Sequence, residues 1–302
     1  IEKRVTETAK DQFFTPWTIT TRSYVNPWDC DDMGHMNVQF YMVHVSSARA
    51  HFLHALGLSE MSMSDADIVS DMIVRFHAEL PGSASVMVQS AVVAVLPDQL
   101  EVVHVVSNRD TDGLAATFYE TWAFPKGVPA IDAKFKADLP PEAQSRSSTR
   151  TLSDLSIAQA DDKGMFESYR GLVLPSDCDA HGNLQHRFHI SGFSDGAGHQ
   201  WLGLGYSLAE MIADGRGAVV VEYYLKFLRS ASAGDLLVSR QGVIDLGNKN
   251  ILLANCLFNG ATGEMVLACE VTLLHFDLKT RRAISLTDEM RATMDSKRIQ
   301  LV

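Results

Sequence analysis

Two short stretches of the chain hold carboxylates in a setting that could support catalysis. Each reads Asp-Cys-Asp, at residues 29–31 and again at residues 177–179, and each precedes a helical pattern. A carboxylate can act as a general base or a nucleophile, and the unpaired N–H groups of a first helical turn can stabilise an oxyanion. Asp31 and Asp179 are therefore the first candidates for catalysis, in a reaction that needs no metal.

The alternative interpretation of both motifs is structural. An Asp in a loop that leads into a helix is often only the N-cap of that helix, because its carboxylate accepts a hydrogen bond from a free backbone N–H. Repetition does not decide between the two interpretations, since a duplicated cap would look the same.

The neighbours of the two motifs differ. The first copy continues with His35 and Asn37, where a histidine could move protons near neutral pH and an asparagine could position water or a substrate. The second copy has Asn183 and Gln185 at those positions, and His181 is a new neighbour. The two copies are therefore predicted not to be functionally equivalent.

The motifs belong to a longer internal repeat. Residues 27–59 align without a gap to residues 175–207 at a constant offset of 148, with eleven identities in 33 positions. An internal repeat of this length indicates two copies of one domain. We predict a first domain, an interdomain linker and a second domain over residues 1–125, 126–164 and 165–302.

Hydrophobic periodicity gives the same order of elements in each half. Apolar residues at helical spacing predict helices over about 40–57 and 188–204, each laying one face on a sheet. Segments rich in Val, Leu and aromatic residues, separated by turn residues, predict antiparallel hairpins after each helix. Residues 126–164 lose this periodicity and gain Pro, Ser and charge, so we expect them to run over the surface.

Composition excludes several classes of protein. A net charge of −11 and a pI near 5.4 argue against a general binder of nucleic acid or anionic membranes, and 46% hydrophobic residues can fill real cores. No apolar run is long enough for a membrane helix and the N-terminal residues lack a signal-peptide core, so a cytoplasmic location is expected. Neither the four cysteines nor the histidines of the first helix have the partners of a metal site, and none is predicted.

The segment DCDDMGHMNVQFY, residues 29–41, closely resembles the active-site loop of the 4-hydroxybenzoyl-CoA thioesterase-like branch of the hotdog superfamily. That pattern reads roughly D-x-D-x-x-G-H-x-N-N-x-x-Y, and Val38 stands where the family often has a second Asn. The resemblance implies an α+β fold of two tandem hotdog domains, each an antiparallel sheet around one long helix, paired as a pseudo-dimer. The matching positions are Asp29, Asp31, Gly34, His35, Asn37 and Tyr41.

The resemblance also implies roles for individual residues. Asp31 would be the catalytic carboxylate, assisted by His35 and Asn37, and backbone N–H groups near Val38 would hold the thioester carbonyl. Asp179 and the N–H groups near His186 would be the equivalents in the second half. Residues that would contact the substrate are Val38, Tyr41, His181, Asn183, Gln185 and His186.

The expected reaction is hydrolysis of an acyl-CoA to the free acid and CoA. Coenzyme A enters only as part of this small-molecule substrate, no other cofactor is expected, and further association of pseudo-dimers stays open. Other hotdog branches take their carboxylate from the helix, where Asp195 is the only match. A hydratase or dehydratase and a non-catalytic acyl-thioester binding protein are the alternative functions.

Overall fold

The computed structural model describes residues 17–59 and 68–300, which group into two compact units. Unit 1 contains residues 17–59 and 77–144, and unit 2 contains residues 68–76 and 145–300. The predicted first domain begins at residue 1, but residues 1–16 lie outside the described residues. The predicted domain bounds stay predictions.

The described residues form strands and helices in the order that the repeat predicts. The strands are β1 Thr18–Tyr24, β2 Val69–Phe76, β3 Ser85–Val95, β4 Gln99–Asn108, β5 Gly113–Ala123, β6 Arg170–Leu172, β7 Arg216–Phe227, β8 Leu236–Leu246, β9 Asn250–Asn259, β10 Met265–Asp277 and β11 Arg282–Ala283. The α-helices are α1 Val38–Ala55, α2 Ile157–Asp162, α3 His186–Asp195, α4 Ala197–Gly203, α5 Leu208–Ala213 and α6 Asp288–Asp295.

Unit 1 is an antiparallel sheet with one long helix against it. The strand order is β1-β3-β4-β5, and α1 packs on β1 and β3. The buried face of α1 includes Met42, Val45 and Phe52, whose spacing of three to seven residues puts them on one side of a helix. The predicted hotdog arrangement of helix and sheet is confirmed in this unit.

A polar network lies in the core of unit 1 beneath α1. The Arg49 guanidinium donates two hydrogen bonds to the Glu120 carboxylate, Nε to Oε2 at 3.0 Å and Nη2 to Oε1 at 2.6 Å. Trp122 Nε1 donates to Oε2 of the same glutamate at 2.7 Å, and His104 Nε2 lies 3.5 Å from that oxygen. Burial alone would raise the pKa of Glu120, but Arg49 and His104 hold it well below its usual value.

Unit 2 repeats the architecture with a divided helix. Its strand order is β2-β7-β10-β9-β8-β6, and β11 pairs with β10. The single helix predicted over 188–204 is two helices, α3 and α4, which meet at Gly196. A Cβ at Gly196 would lie 2.9 Å from the carbonyl oxygen of Ser168, so this close approach requires glycine.

The two units differ at one pair of corresponding positions, where the helix approaches the segment that precedes the Asp-Cys-Asp loop. In unit 1 the Thr21 hydroxyl donates to the backbone carbonyl of His44 at 3.3 Å. The positions that correspond at the offset of 148 are Tyr169 and Gly192, and a Cβ at Gly192 would lie only 3.1 Å from the Tyr169 ring. At these two positions the helix residue is a buried histidine in unit 1 and a glycine in unit 2, and the other residue is a threonine in unit 1 and a tyrosine in unit 2.

The segment predicted as a surface linker is partly buried. Leu152 and Leu155, which precede α2, and Ala160 in α2 pack in a hydrophobic cluster of unit 2. We call residues 145–151 the strap, because two buried glutamates hold it against the sheet: Glu222 of β7 and Glu270 of β10.

The bonds of the strap involve both its backbone and its hydroxyls. Glu222 accepts from Ser145 Oγ at 2.6 Å and from the N–H groups of 146, 147 and 148. Glu270 accepts from the N–H groups of Thr149 at 2.6 Å and Thr151 at 2.9 Å. Burial would raise the pKa of Glu222, yet the bonds from Ser145 and these N–H groups lower it.

Strand β2 belongs to the first repeat in sequence but pairs in unit 2. It runs antiparallel to β7, with Ile73 opposite Tyr224. On either side of this pair, opposite charges face each other: Asp71 opposite Lys226, and Arg75 opposite Glu222, with Arg75 Nε 3.7 Å from Glu222 Oε2. Opposite charges at directly paired positions favour this register.

Candidate active site

The first Asp-Cys-Asp motif lies in a loop that folds back on itself before α1. A 3-10 turn, Pro27–Asp29, is closed by the Asp29 carboxylate, which accepts from the N–H and the side-chain amide of Asn26 at 3.2 and 3.0 Å. The Asp31 N–H donates to the His35 carbonyl at 2.8 Å, and Gly34 takes a φ of +78° that favours glycine. These bonds hold residues 31–35 in a tight turn.

The Asp31 carboxylate is fixed by this turn and exposed to solvent. Its Oδ1 accepts hydrogen bonds from the N–H groups of Met33 at 2.9 Å and His35 at 3.1 Å. The turn thus uses one carboxylate oxygen and holds the group in one orientation. Burial chiefly, and then the negative charge of Asp31, raise the pKa of the Tyr41 hydroxyl.

A glutamate that the sequence analysis missed lies beside this loop. Glu79 Oε2 is 3.6 Å from His35 Nε2, and the other ring nitrogen of His35, Nδ1, is buried without a hydrogen-bond partner in the described part of the chain. The contact arises because residues 35 and 81 form a β-bridge. The pairing is tertiary, so no local pattern around Glu79 could have revealed it.

The start of α1 provides a free backbone donor. Asn37 is the N-cap, its Oδ1 accepts from the Gln39 N–H at 3.2 Å, and its own N–H donates to the Asp29 carbonyl. The Val38 N–H has no hydrogen-bond partner within residues 17–59 and 68–300. Such a group at a helix N-terminus is suited to an oxyanion. Tyr41 is only 2% exposed.

The second motif has the same backbone geometry. Oδ1 of Asp179 accepts from the N–H groups of His181 at 2.8 Å and Asn183 at 3.0 Å. Its Oδ2 differs from the first copy, because it is buried and has no partner among the described residues. The His181 side chain is exposed. Gln185, at the N-cap of α3, donates from Nε2 to the Cys178 carbonyl at 2.9 Å.

Aromatic rings gather at the start of α3. His186, 1% exposed, stacks on Phe227 with ring centroids 4.0 Å apart, and His189 meets Phe227 edge-on at 5.4 Å. A cavity of about 120 Å³ opens here, which we call the α3 cleft. Its walls are Leu184, His189, Phe227, Leu228, Arg229 and Ser230.

Basic residues that could meet the phosphates of a CoA carrier are mostly engaged by carboxylates. Arg75 lies beside Glu222, Arg216 donates to Asp214, and Arg229 forms a two-fold contact with Asp154. Lys226 is exposed on β7.

The structure also bears on the helix carboxylate, on metal binding and on membrane-spanning helices. Asp195 lies at the end of α3, and burial raises the pKa of its carboxyl. No group of three or more His, Cys, Asp or Glu side chains within 17–59 and 68–300 is arranged to hold a metal ion. Over the same residues, no helix combines the length and apolarity that crossing a bilayer demands.

Comparison with protein families finds a match in both repeats. The model of the thioesterase-like superfamily matches residues 25–141 and 173–294. No curated protein sequence matches the chain.

Solved structures that span both repeats share the fold. An acyl-ACP thioesterase from Bacteroides thetaiotaomicron superposes with a TM-score of 0.60 at 13% identity, covering 85% of this chain and 98% of that one. A 12:0-ACP thioesterase from Umbellularia californica gives a TM-score of 0.62 at 12% identity, covering 86% and 94%. At these identities the likeness concerns the hotdog fold, present here in two tandem copies.

Proposed function

The chain belongs to the thioesterase-like superfamily, and from this membership we propose that it hydrolyses an acyl-CoA to the free acid and CoA. The observation that carries the proposal is the loop of unit 1. There Asp31 is held on one oxygen by two backbone N–H groups, on the same turn as His35 and just before the free N–H of Val38.

These groups have the chemistry that the reaction requires. Asp31 takes a proton from water as the water oxygen attacks the thioester carbonyl, or it attacks that carbon itself and water then cleaves the anhydride. The carbonyl oxygen gains negative charge, which the Val38 N–H stabilises. The C–S bond then breaks, and His35 supplies the proton that the leaving thiolate takes up.

The proposal also specifies that the acyl group is carried by CoA. The two solved relatives named above act on acyl groups carried by ACP, so an ACP thioester is the second candidate substrate. We favour CoA because the loop Asp29–Tyr41 resembles that of CoA-type thioesterases.

The test is the release of free thiol from a panel of acyl-CoAs and from the matching acyl-ACPs. We expect the wild type to release thiol and Asp31→Asn to lose about 10²-fold or more in kcat/KM, the range typical of a lost acid–base group. Asp32→Asn, an exposed carboxylate of the same loop, is the matched control and should keep the rate.

Three results would contradict parts of the proposal. If no substrate releases thiol, the protein is not a thioesterase for these substrates and the enzyme hypothesis is contradicted. If only the acyl-ACPs release thiol, the carrier is ACP and not CoA. A larger loss in Asp179→Asn than in Asp31→Asn would assign the chemistry to the second repeat.

A further inference from the structure

We infer that the side chain of Asn26 is a positioning group for the proposed reaction and that it acts through Asp29. By holding Asp29, it fixes the distance between the Asp31 carboxylate and the Val38 N–H. This role rests on the proposed function, in which the carboxylate acts as base or nucleophile and the N–H group stabilises the oxyanion. Asn26 itself does not touch the reacting atoms.

The loop of unit 1 contains a short antiparallel ladder that joins the two reacting groups. At one end of the ladder, the Asp31 N–H donates to the His35 carbonyl at 2.8 Å. At the other end, the Asn37 N–H donates to the Asp29 carbonyl at 2.9 Å, and a β-bridge lies between these two bonds. Val38 follows directly after the second bond, so the ladder sets the distance of its N–H from Asp31.

Asp29 forms the corner of this ladder, and its carboxylate is largely withdrawn from water. The residue is 7% exposed, and burial of a carboxylate is costly unless hydrogen-bond donors satisfy it. Its Oδ2 accepts from the Asn26 N–H at 3.2 Å and from the Asn26 side-chain amide at 3.0 Å. Within residues 17–59 and 68–300, these are the donors to this carboxylate. The side-chain amide therefore supplies the shorter of the two bonds.

The second repeat also gives its first Asp a side-chain donor, but from another position. Oδ2 of Asp177 accepts from the Leu174 N–H at 2.9 Å, and Oδ1 accepts from the Ser176 hydroxyl at 3.1 Å. Leu174 stands where the first repeat has Asn26, and Ser176 stands where it has Trp28. Each repeat thus combines one backbone donor with one side-chain donor. The donor has changed position while its contact with the carboxylate is kept, which indicates that the loop needs the contact.

Loss of the Asn26 amide should displace the second end of the ladder. Asn26→Leu leaves the Asp29 carboxylate with the longer backbone bond alone, so this group should turn towards water. That rotation draws the Asp29 carbonyl away from the Asn37 N–H and moves the start of α1. A misplacement of about 1 Å can cost about 10²-fold in rate, so a smaller shift of the Val38 N–H should cost about 10-fold.

The test compares Asn26→Leu with a variant that restores the donor in the way of the second repeat. Asn26→Leu should lower kcat for thiol release by about 10-fold and leave KM nearly unchanged, because the loss is one of alignment. Asn26→Leu/Trp28→Ser should recover most of that loss. Trp28→Ser alone should keep the wild-type kcat, since Trp28 is 76% exposed and little packing is lost.

A matched control and a second measurement separate positioning from general stability. Asn108→Leu removes another side-chain bond of unit 1, in which the amide oxygen accepts the Asp110 N–H at 2.9 Å, and it should keep kcat. Hydrogen exchange of the Asn37 amide should be faster in Asn26→Leu and return to the wild-type rate in Asn26→Leu/Trp28→Ser. Thermal unfolding shows that each variant is folded at the assay temperature.

A wild-type kcat in Asn26→Leu would overturn the inference, and so would a double variant no faster than Asn26→Leu. Equal losses in Asn26→Leu and Asn108→Leu would also overturn it. A wild type that releases no thiol is a different failure, because it contradicts the proposed function and the role of Asn26 in that reaction falls with it.

Discussion

At the scale of single residues, the loop that contains Asp31 bears on the two interpretations of an Asp before a helix, as a structural N-cap or as a catalytic carboxylate. The capping role falls to Asn37, whose amide oxygen accepts the Gln39 N–H, while the Asp31 carboxylate holds its own loop together through Met33 and His35. A structural bond to Oδ1 and a chemical role for the same carboxylate are compatible. The bond fixes the carboxylate in one orientation, as the proposed catalysis requires.

The contact of His35 with Glu79 leads to a prediction about catalysis. Glu79→Gln should lower kcat by about 10-fold and leave KM nearly unchanged, because the carboxylate that lies 3.6 Å from His35 Nε2 no longer orients that ring. His35→Gln should cost more, and the double variant should cost no more than His35→Gln alone.

The control for this prediction is Glu142→Gln, another exposed glutamate of unit 1. If Glu79→Gln changes only the thermal stability and leaves kcat in place, Glu79 is a structural residue.

The network beneath α1 gives a prediction about stability. Arg49→Met leaves the Glu120 carboxylate buried without its cation, so the free energy of unfolding at pH 7 should fall by about 3–5 kcal/mol. Arg49→Met/Glu120→Leu removes both charges and should recover much of that loss. Urea unfolding measures the difference, and equal stability of the single and double variants would contradict it.

The same network predicts how stability depends on pH. The pKa of Glu120 is lower in the folded protein than in the unfolded chain, so its contribution is complete above about pH 4.3, the usual glutamate value, and is lost as pH falls further. The difference in unfolding free energy between wild type and Arg49→Met/Glu120→Leu should change in this acidic range. A difference that stays constant there would show that Glu120 does not titrate as inferred.

The loop residues could be selected as candidates from the sequence because they form one contiguous motif. The sequence could not predict Glu79, whose relation to His35 depends on a bridge between segments 46 residues apart. The unequal surroundings of Asp31 and Asp179 were expected from the neighbours that differ. The buried Oδ2 of Asp179 was not, because burial is decided by packing.

At the scale of elements, periodicity located both helices but not the division of the second. The pattern of Ile190, Phe193 and Trp201 suits a continuous helix, yet α3 ends at Asp195 and α4 begins at Ala197. The close contact of Gly196 with the Ser168 carbonyl marks the junction. Such a contact is invisible to a pattern of apolar residues along one segment.

The reciprocal packing of Thr21 with His44 and of Tyr169 with Gly192 can be tested by exchange. Gly192→His should destabilise the protein by more than about 1–3 kcal/mol, the cost of ordinary overpacking, since even a Cβ meets the Tyr169 ring at 3.1 Å. Tyr169→Thr/Gly192→His should regain most of that stability. Additive losses in the two single variants and the double variant would rule out the exchange.

The strap gives a prediction about proteolysis. Glu270→Leu removes the acceptor for the N–H groups of Thr149 and Thr151, so trypsin should cleave after Arg146 and Arg150 faster than in the wild type. Glu210→Leu on α5 should not change the rate. Unchanged cleavage in Glu270→Leu would show that other contacts hold the strap.

At the scale of the whole molecule, the repeat in sequence and the compact units do not divide the chain in the same place. Strand β2 lies between α1 and β3 in sequence but pairs with β7 of unit 2. The alignment of the repeats places β2 with the first half, because an alignment compares positions along the chain and contains no information about which strands are hydrogen-bonded. The register of β2 with β7 is a fact of pairing that the alignment does not contain.

The pairing of β2 with β7 predicts that neither half folds alone. Fragments 1–144 and 145–302, expressed separately, should lack cooperative unfolding, because the first retains β2 without β7 and the second loses the strand beside β7. Co-expression should restore both cooperative unfolding and thiol release. A fragment 145–302 that unfolds cooperatively at the temperature of the full chain would contradict this.

The reciprocal side chains of the two units also bear on how the gene can change. Recombination between the two repeats can copy a tract of one onto the other, which tends to keep duplicated segments alike. A tract that copies codon 44 onto codon 192 but stops short of codon 169 would place a histidine against Tyr169, and the reverse tract would leave a threonine beside a glycine. A tract that carries both positions avoids the clash with Tyr169, so we expect the close approach of Gly192 to Tyr169 to select against the shorter tracts.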